Sequence, residues 1–205
     1  MATEDELILA RRKHVAALGE AGSPAYPNDF RGDDARRREV LRIADDEKER
    51  ERLPGEQETA DDAQHFPLYG RVMAKRGPFL VIRAPYSSAQ ALVRPESLPA
   101  EEAAAYRTVD LGDHVAVAGP LVKTKTGQLA VKALRYRHLS KALLPPPAKW
   151  HGLTDVEKRY RQRYVDLFAN EQVAGVFRAR ALILSALRRF LEERGFLEVE
   201  TPMLN

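Results

Sequence analysis

The sequence contains no cysteine, so disulfide bonds and thiolate zinc sites are excluded. No apolar run approaches the roughly 18 residues that a membrane-spanning helix needs, and the first 20 residues are too charged for a secretory signal. The five histidines are scattered without the spacing of metal ligands. The sequence also carries no glycine-rich phosphate loop and no nucleophile motif. We therefore assign no catalytic residue and no metal site, and the lack of cysteine suits a cytoplasmic protein.

The basic residues are concentrated in the middle of the chain. Residues 66–141 hold 12 Lys and Arg against 5 Asp and Glu, a net charge of +7, whereas residues 1–65 have a net charge of −6. Positive charge gathered in one compact segment is typical of a protein that binds a polyanion. The alternative is the solvated surface of an ordinary basic protein.

Residues 1–65 are predicted to form one helix followed by a charged connection. Apolar residues recur at helical spacing over residues 4–20, with acids in the first turn and glycines near the end. Residues 31–64 are dense in charge and nearly free of aromatic side chains. A second helix is predicted to begin near Arg36, and the remainder of this segment is predicted to be solvated and partly disordered.

Residues 66–141 change to the pattern of short strands separated by turns. A short helix is predicted between the third strand and the fourth. This element order is that of an OB-fold, a five-stranded barrel that binds oligonucleotides on the face of its second and third strands. A small SH3-like barrel is the alternative. The five runs read FPLYGRVMAKR, FLVIR, AQALVR, HVAVAGPLVKTK and QLAVKALRYRHL.

The rest of the chain is predicted to be a linker and a helical segment, so the fold class is mostly β with flanking helices. Residues 142–153 contain three consecutive prolines, which favour an extended linker. Thr154 and Glu157 predict a capping box for a first helix. Asn170 is predicted to cap a second, longer helix that ends at Gly195, and residues 196–200 are predicted to form a short strand.

Several pieces of the sequence are together similar to class II lysine–tRNA ligases (lysyl-tRNA synthetases) along almost the whole chain. KTKTG followed by KWHGL and RYRQRYVDL is the specific part, since it separates the lysine enzymes from their aspartate and asparagine relatives. GFLEVETP resembles the class-level motif 1, which builds the dimer interface. The matching pieces are RRKHVAALGEAGSPAYPNDF, GRVMAKR, DLGDHVAVAGPLVKTKTGQLAV, LSKALLPPPAKWHGL, RYRQRYVDL and RGFLEVETPML.

The resemblance implies that residues 66–141 are the anticodon-binding domain. By position, Phe79 matches an aromatic side chain that stacks on an anticodon base, Gln90 one that reads a base edge, and Arg71 a neighbouring basic residue. Stacking of a base on an aromatic ring contributes about 1–3 kcal/mol, and a glutamine amide offers a donor and an acceptor together. The plainer alternatives are a core position for Phe79 and ordinary exposed strand positions for the other two.

Other residues near this surface are expected to contribute or to differ from the family. Lys123 and Lys125 are predicted to share one strand face by two-residue alternation and to bind phosphates; a solvated edge is the alternative. Gln128 stands where the family usually has Glu. The first loop is shortened to Gly77-Pro78, and the turn over residues 84–88 differs as well. These departures suit a barrel that is less selective among bases.

The resemblance further implies that the catalytic domain begins near residue 154 and forms a homodimer through motif 1. Its motifs 2 and 3, which hold ATP, and its magnesium carboxylates are not in this sequence, so ATP and Mg are expected only for the full-length family. The chain alone is expected to bind tRNA weakly without aminoacylating it. A dimerisation scaffold and a general single-strand-binding barrel are the alternatives. The predicted interface residues are Phe177, Leu187, Phe190, Val199 and Pro202.

Overall fold

A computed structural model describes residues 3–59, 63–84, 87–147 and 153–202. The chain divides into two compact units, residues 1–145 and 146–205. Residues 85–86 of the predicted turn, and 148–152 of the predicted linker, lie outside the described residues. Among the helices that are described, none is long and apolar enough to cross a membrane.

The described part of the first unit is built on one mixed sheet. Its strand order is β5-β6-β3-β2-β1-β4-β7. The β3–β6 pair is parallel, and the other pairs are antiparallel. The mostly β fold class with flanking helices is confirmed, but a seven-stranded sheet in this order does not confirm the predicted five-stranded barrel. The strands are β1 (Phe66–Arg76), β2 (Phe79–Arg83), β3 (Ser88–Val93), β4 (His114–Gly119), β5 (Leu121–Lys123), β6 (Leu129–Ala133) and β7 (Arg135–Ser140).

The count differs because the last two predicted strands are each interrupted by one residue. Pro120 separates β4 from β5, since proline has no N–H to donate, and Leu134 separates β6 from β7. The two breaks lie side by side: the Leu134 amide donates to the Ala118 carbonyl at 3.0 Å. A Cβ on Gly119 would lie 1.8 Å from the Lys132 carbonyl oxygen, so only glycine fits there. The segment broken at Pro120 therefore supplies β5 at one end of the strand order and β4 near the other end. The segment broken at Leu134 supplies β6 and β7 in the same way.

Four α-helices accompany the sheet in the described part of this unit: α1 (Glu4–Glu20), α2 (Asp34–Asp45), α3 (Glu47–Glu51) and α4 (Ala100–Arg107). The predicted helices at 4–20 and between the third and fourth strands are confirmed. A capping box begins α1, in which the Thr3 and Glu6 side chains each accept from the other's backbone N–H, at 3.3 and 2.8 Å.

The second helix predicted to begin near Arg36 is confirmed as α2, and α3 is a further short helix that was not predicted in this charged segment. Val40, Leu41 and Ile43 lie on one face of α2 and are buried in the main core, where α2 packs against β1. Three apolar residues at helical spacing are enough to dock a helix whose remaining surface is charged. The density of charge concealed this short apolar stripe.

The main core lies between one face of the sheet and the helices, and a smaller apolar cluster lies on the sheet's other face. Leu80 and Ile82 of β2 are fully buried in the main core together with residues of α1, α2 and α4. The smaller cluster consists of Leu92, Val122 and Ala130, with Phe79 packed against it. We call the face that carries this smaller cluster the outer face.

A buried ion-pair network joins α1, the loop after α4 and the end of β7. Lys141 is completely buried and its Nζ donates to Asp110 Oδ2 at 2.6 Å, to Asp113 Oδ2 at 2.8 Å and to the Thr108 carbonyl at 2.6 Å. His14 of α1 contacts the same Asp110 oxygen at 2.8 Å. Burial alone would raise the pKa of Asp110, but hydrogen bonds from Lys141 and His14 hold it below its ordinary value.

The described part of the second unit contains three helices: α5 (Val156–Arg161), α6 (Arg163–Ala169) and α7 (Glu171–Glu192). The predicted Thr154–Glu157 capping box is wrong by one residue, because the Asp155 carboxylate caps α5 by accepting from the Lys158 N–H at 3.0 Å. Asn170 is the N-cap residue of α7, but its side chain donates to the buried Asp166 carboxylate at 2.6 Å instead of capping.

The segment after α7 does not form the predicted strand at residues 196–200. Gly195 has φ +81° and lets the chain turn back at the helix end, as predicted. Glu198 then pairs with Arg188 of α7 at 3.0 Å, and Glu198 and Glu200 are both exposed. The alternating pattern fails to give a strand because no neighbouring strand is described against it, and an isolated strand has no partners for its backbone hydrogen bonds.

Candidate nucleic-acid interface

The strand register arranges the outer face of the sheet into three rows of directly opposed residues. Direct partners in a ladder share a face, so each row crosses the sheet. Successive rows lie two residues apart along a strand, or about 6.6 Å. The basic row is Ser88, Arg83, Arg71 and His114; the glutamine row is Val81, Gln90, Ala130 and Val122; and the aromatic row is Arg76, Phe79, Leu92 and Lys132.

A bulge in β1 keeps two of the arginines on this face. Arg71 and Arg76 are five residues apart, so simple alternation would place them on opposite faces. The register between β1 and β2 shifts between Val72 and Ala74. The extra residue restores both arginines to the outer face, opposite Arg83 and Phe79 respectively.

Arg71 is half-buried within the basic row. Its Nη1 donates to the Gly112 carbonyl at 2.9 Å. Burial lowers the pKa of Arg71, an effect that nearby Asp113 opposes. Burial and the adjacent Arg71 charge also lower the pKa of His114 from its ordinary value, which favours the neutral imidazole, a hydrogen-bonding group rather than a cation. The row therefore combines two guanidinium groups with two neutral polar side chains.

Gln90 lies in the middle of the outer face. It is half-exposed on β3, directly opposite Val81 of β2 and Ala130 of β6. The other members of this row have small or aliphatic side chains, so the Gln90 amide is its polar group. A glutamine amide with both donor and acceptor can pair with the edge of an unstacked base.

Phe79 begins β2 in the aromatic row, one row from Gln90. It is partly buried against Leu92, Val122 and Ala130, and so it belongs to the small outer cluster and not to the main core. A ring fixed by packing and still partly exposed is suited to stacking on a base.

The prediction that Lys123 and Lys125 share a strand face is wrong. Strand β5 ends at Lys123, because residues 124–127 form a tight turn in which the Gly127 N–H donates to the Thr124 carbonyl at 2.9 Å. Lys123 lies directly opposite Leu129 of the main core, and its Nζ donates to the Glu51 carbonyl at 2.9 Å. Lys125 is exposed in the turn.

Gln128 closes the same turn and is exposed. Its backbone N–H donates to Thr124 Oγ1 at 3.1 Å, and Gly127 adopts φ +78° beside it, a conformation that favours glycine. The structure thus brings Arg71, Gln90 and Phe79 together on the outer face. It places Lys125 and Gln128 in the β5–β6 turn, and Lys123 on the opposite face of the sheet.

Among the basic residues of these rows, the sequence alone did not single out Arg83, Arg76, His114 and Lys132. Arg83 was accessible to it, because alternation from Phe79 through Val81 reaches Arg83 on the same face. Arg76, His114 and Lys132 depend on strand register and on the bulge, which a single sequence does not reveal. Over the described ranges, no group of three or more His, Asp or Glu residues is placed to hold a metal ion.

The second unit carries the predicted interface residues on an exposed apolar surface. Phe177 is 39% exposed, Leu187 54%, Phe190 50% and Val199 72%, and Pro202 is exposed as well. Residues 196–198 fold back beside α7 and line a groove of about 300 Å³ with it. Other exposed apolar residues in the same region are Val176, Ile183, Leu184, Leu191, Phe196 and Leu197.

The chain matches known proteins over both units. Residues 155–205 match the family model for tRNA synthetases class II (D, K and N). The chain is 44% identical to the lysine–tRNA ligase of Chromohalobacter salexigens, in a match that covers 98% of this chain. Lysine–tRNA ligases are homologues of this chain. Lysine–tRNA ligases of Pseudomonas aeruginosa and Pseudomonas putida are also 44% identical, over 201 residues and 98% of the chain.

The chain covers only part of the length of each of these three relatives. The chain spans 39% of the Chromohalobacter protein, 38% of the Pseudomonas aeruginosa protein and 39% of the Pseudomonas putida protein. The similarity extends across the three rows of the outer face and across α7, since it covers nearly the whole chain. The similarity to lysine–tRNA ligases therefore includes both surfaces described above.

Proposed function

We propose that residues 66–141 form an OB-fold barrel that binds the anticodon stem-loop of lysine tRNA. The adjacent breaks at Pro120 and Leu134 support the barrel. If β4–β5 is one curved strand and β6–β7 another, the same two strands form both edges of the sheet, and the sheet closes on itself. The observation that carries the proposed function is the outer face, where Phe79, Gln90 and Arg71 stand in three consecutive rows. Because the relatives are lysine–tRNA ligases, the RNA partner in this proposal is lysine tRNA.

In this proposal each row has its own task. The aromatic row offers the Phe79 ring as a stacking platform, which accepts any base. The glutamine row offers the Gln90 amide, which selects among bases by its donor and acceptor. The basic row supplies positive charge toward the RNA backbone. Gln128 and Lys125, in the β5–β6 turn, contact the loop from one end of the barrel.

In this proposal the chemical reaction itself is carried out only by the full-length proteins of the family. ATP-dependent lysylation with magnesium is carried out by motifs that are not among these 205 residues, and we propose a cytoplasmic location for the protein. This chain contributes tRNA binding and, through α7, association with a second subunit. The proposal needs no catalytic residue from the chain.

Replacing Phe79 by alanine should weaken binding of the lysine anticodon stem-loop by about 5- to 150-fold, because stacking on an aromatic ring contributes about 1–3 kcal/mol per base. The measurement is fluorescence anisotropy of the labelled hairpin near physiological salt, with a hairpin of scrambled anticodon in parallel. Tyr26→Ala is the matched control, since Tyr26 is a 54% exposed aromatic residue outside the three rows.

Three results decide between anticodon reading and its alternatives. A preference for the lysine hairpin that Phe79→Ala reduces and Tyr26→Ala retains supports the proposal. Equal binding of both hairpins by the unmodified chain, with strong salt dependence, indicates a general single-strand-binding barrel instead. No effect of Phe79→Ala on either hairpin would refute the assigned stacking role.

The exposed apolar surface of the second unit favours a second function, dimerisation. We propose that α7 and the residues up to Pro202 associate with a second copy of the chain. The apolar residues exposed there form a contiguous stripe along one side of α7 and continue into residues 196–199. Exposed apolar patches of this kind mark sites of protein association.

Replacing Phe190 by glutamate should shift the chain from dimer to monomer in sedimentation velocity experiments, because a buried unpaired carboxylate at an apolar interface is strongly unfavourable. Leu182→Glu is the matched control. Leu182 is 71% exposed on the same helix but lies about 140° around it from Leu187, at about 100° per residue. A chain that is monomeric at high concentration without any substitution would contradict the proposal.

A further inference from the structure

Helix α1 is attached to the first unit mainly through polar side chains. Of its 17 residues, all of them described, two are buried: the apolar Leu18 near its end and the charged Arg11 in its middle. Elements with few buried apolar contacts open at a lower free energy than the core of a protein. We therefore expect α1 to detach from the unit more readily than the strands unfold.

Arg11 links α1 to the residues that follow β7. Its Nη1 donates to the Ala142 carbonyl at 2.6 Å and to the Leu144 carbonyl at 3.4 Å, and its Nη2 donates to the Leu111 carbonyl at 3.0 Å. The Arg11 side chain is only 7% exposed. A buried guanidinium group without hydrogen-bond partners is very unfavourable, so Arg11 can lose these carbonyls only if α1 also moves out into water.

A second link joins α1 to the same segment through Asp110. The Asp110 Oδ2 atom lies 2.8 Å from His14 Nδ1 and 2.6 Å from Lys141 Nζ. Lys141 and the Ala142 N–H are also bonded to the buried Asp113, both at 2.8 Å, in contacts that do not involve α1. The residues whose position depends on α1 are therefore those that follow Ala142.

Three consecutive prolines begin directly after Leu144, at residues 145–147. Such a run favours a stiff, extended conformation. A stiff segment continues in the direction of the residues that precede it, so the position of Leu144 determines how the run departs from the first unit.

We propose that α1 is a strap that controls the proline-rich segment. When α1 is docked, Arg11 fixes the direction in which this segment leaves the first unit. When α1 detaches, residues 143–147 are released with it. The strap is a conformational device separate from the outer face and from α7, so it depends on neither RNA binding nor dimerisation.

Replacing Arg11 by methionine should detach α1 and release residues 143–147 together. Amide hydrogen exchange over α1 should become about tenfold or more faster, because hydrogen bonds from a charged group are lost. Leu144→Cys supplies the second readout. It gives the chain a single cysteine at a position that is 66% exposed, and a nitroxide spin label there reports the mobility of the segment. The label should be immobile in the otherwise unmodified chain and mobile when Arg11→Met is added.

Arg12→Met is the matched control, because Arg12 is exposed on the same helix and the substitution removes the same charge. It should change neither readout. Faster exchange of α1 with an unchanged label would overturn the proposal, since α1 would then detach without the segment. Unchanged exchange of α1, or a label that is already mobile before Arg11 is replaced, would overturn it as well. Equal acceleration over β1 to β4 would show that Arg11 stabilises the whole unit and that no separable strap exists.

Discussion

Replacing Lys141 by methionine should lower the free energy of unfolding of the first unit by about 3–5 kcal/mol, because it leaves a buried carboxylate without its cation. Lys141 and Asp113 are both completely buried, and Lys141 Nζ lies 2.8 Å from Asp113 Oδ2. Asp113 also accepts from the backbone N–H groups of Asp110 and Ala142, both at 2.8 Å. The carboxylate therefore cannot move into solvent without breaking the connection between the α4 loop and the end of β7.

Urea unfolding at pH 7 measures this loss, and two further variants identify its cause. Arg135→Met removes an exposed ion pair between β7 and Glu102 of α4 and should cost at most about 1 kcal/mol. Adding Asp113→Asn to Lys141→Met should recover part of the stability, since it removes the unpaired charge and keeps a side-chain acceptor. If Lys141→Met costs no more than Arg135→Met, the buried network does not stabilise the fold.

Lowering the pH from 7 to 4 should cost the first unit about 3 kcal/mol through His138 alone. His138 is completely buried on β7, and burial lowers its pKa from 6.5 to about 4. Tyr136 Oη lies 3.4 Å from its Nδ1, whereas Nε2 has no hydrogen-bond partner in the described structure. A drop of this size in pKa corresponds to about 3 kcal/mol at 1.36 kcal/mol for each tenfold change.

The direction of the effect follows from which state binds the proton. Between pH 6.5 and 4 the unfolded chain is protonated at His138 and the folded chain is not, so stability is full above pH 6.5 and falls as the pH drops toward 4. His138→Gln keeps a polar side chain that cannot take a proton, and its urea midpoint should fall less steeply over this window. If the urea midpoints of the unmodified chain and of His138→Gln fall in parallel as the pH is lowered, His138 does not titrate as described.

The strands and most helices were predictable because each has a strong local pattern. The alternation of FLVIR, the turn at Thr126-Gly127 and the amphipathic run over α7 each depend on neighbours in sequence. Helix α2 was predicted, but its docking against the sheet was not, because only Val40, Leu41 and Ile43 carry its buried face within a charged segment. The strand predicted at residues 196–200 did not form, since a strand needs a partner that local pattern cannot supply.

The candidate site was predictable in its central residues and not in its layout. Family resemblance pointed to Phe79, Gln90 and Arg71, and the structure places them in adjacent rows. The separation of Lys123 from Lys125 depends on where β5 ends. The pairing of Arg71 with Arg83 depends on register, which is a property of two distant segments and not of either one.

The edge of the sheet at β5 also determines how this protein can be cut into smaller pieces. The Lys123 N–H donates to the Pro54 carbonyl at 2.8 Å, and Gly55 forms a parallel bridge to Lys123, so residues 54–55 cover the open side of β5. A fragment limited to residues 66–141 would uncover this edge together with the surface beneath α2. Uncovered edges pair with other chains, so such a fragment should aggregate on expression. The smallest fragment suited to testing the proposed RNA binding must therefore include α2, α3 and residues 54–55.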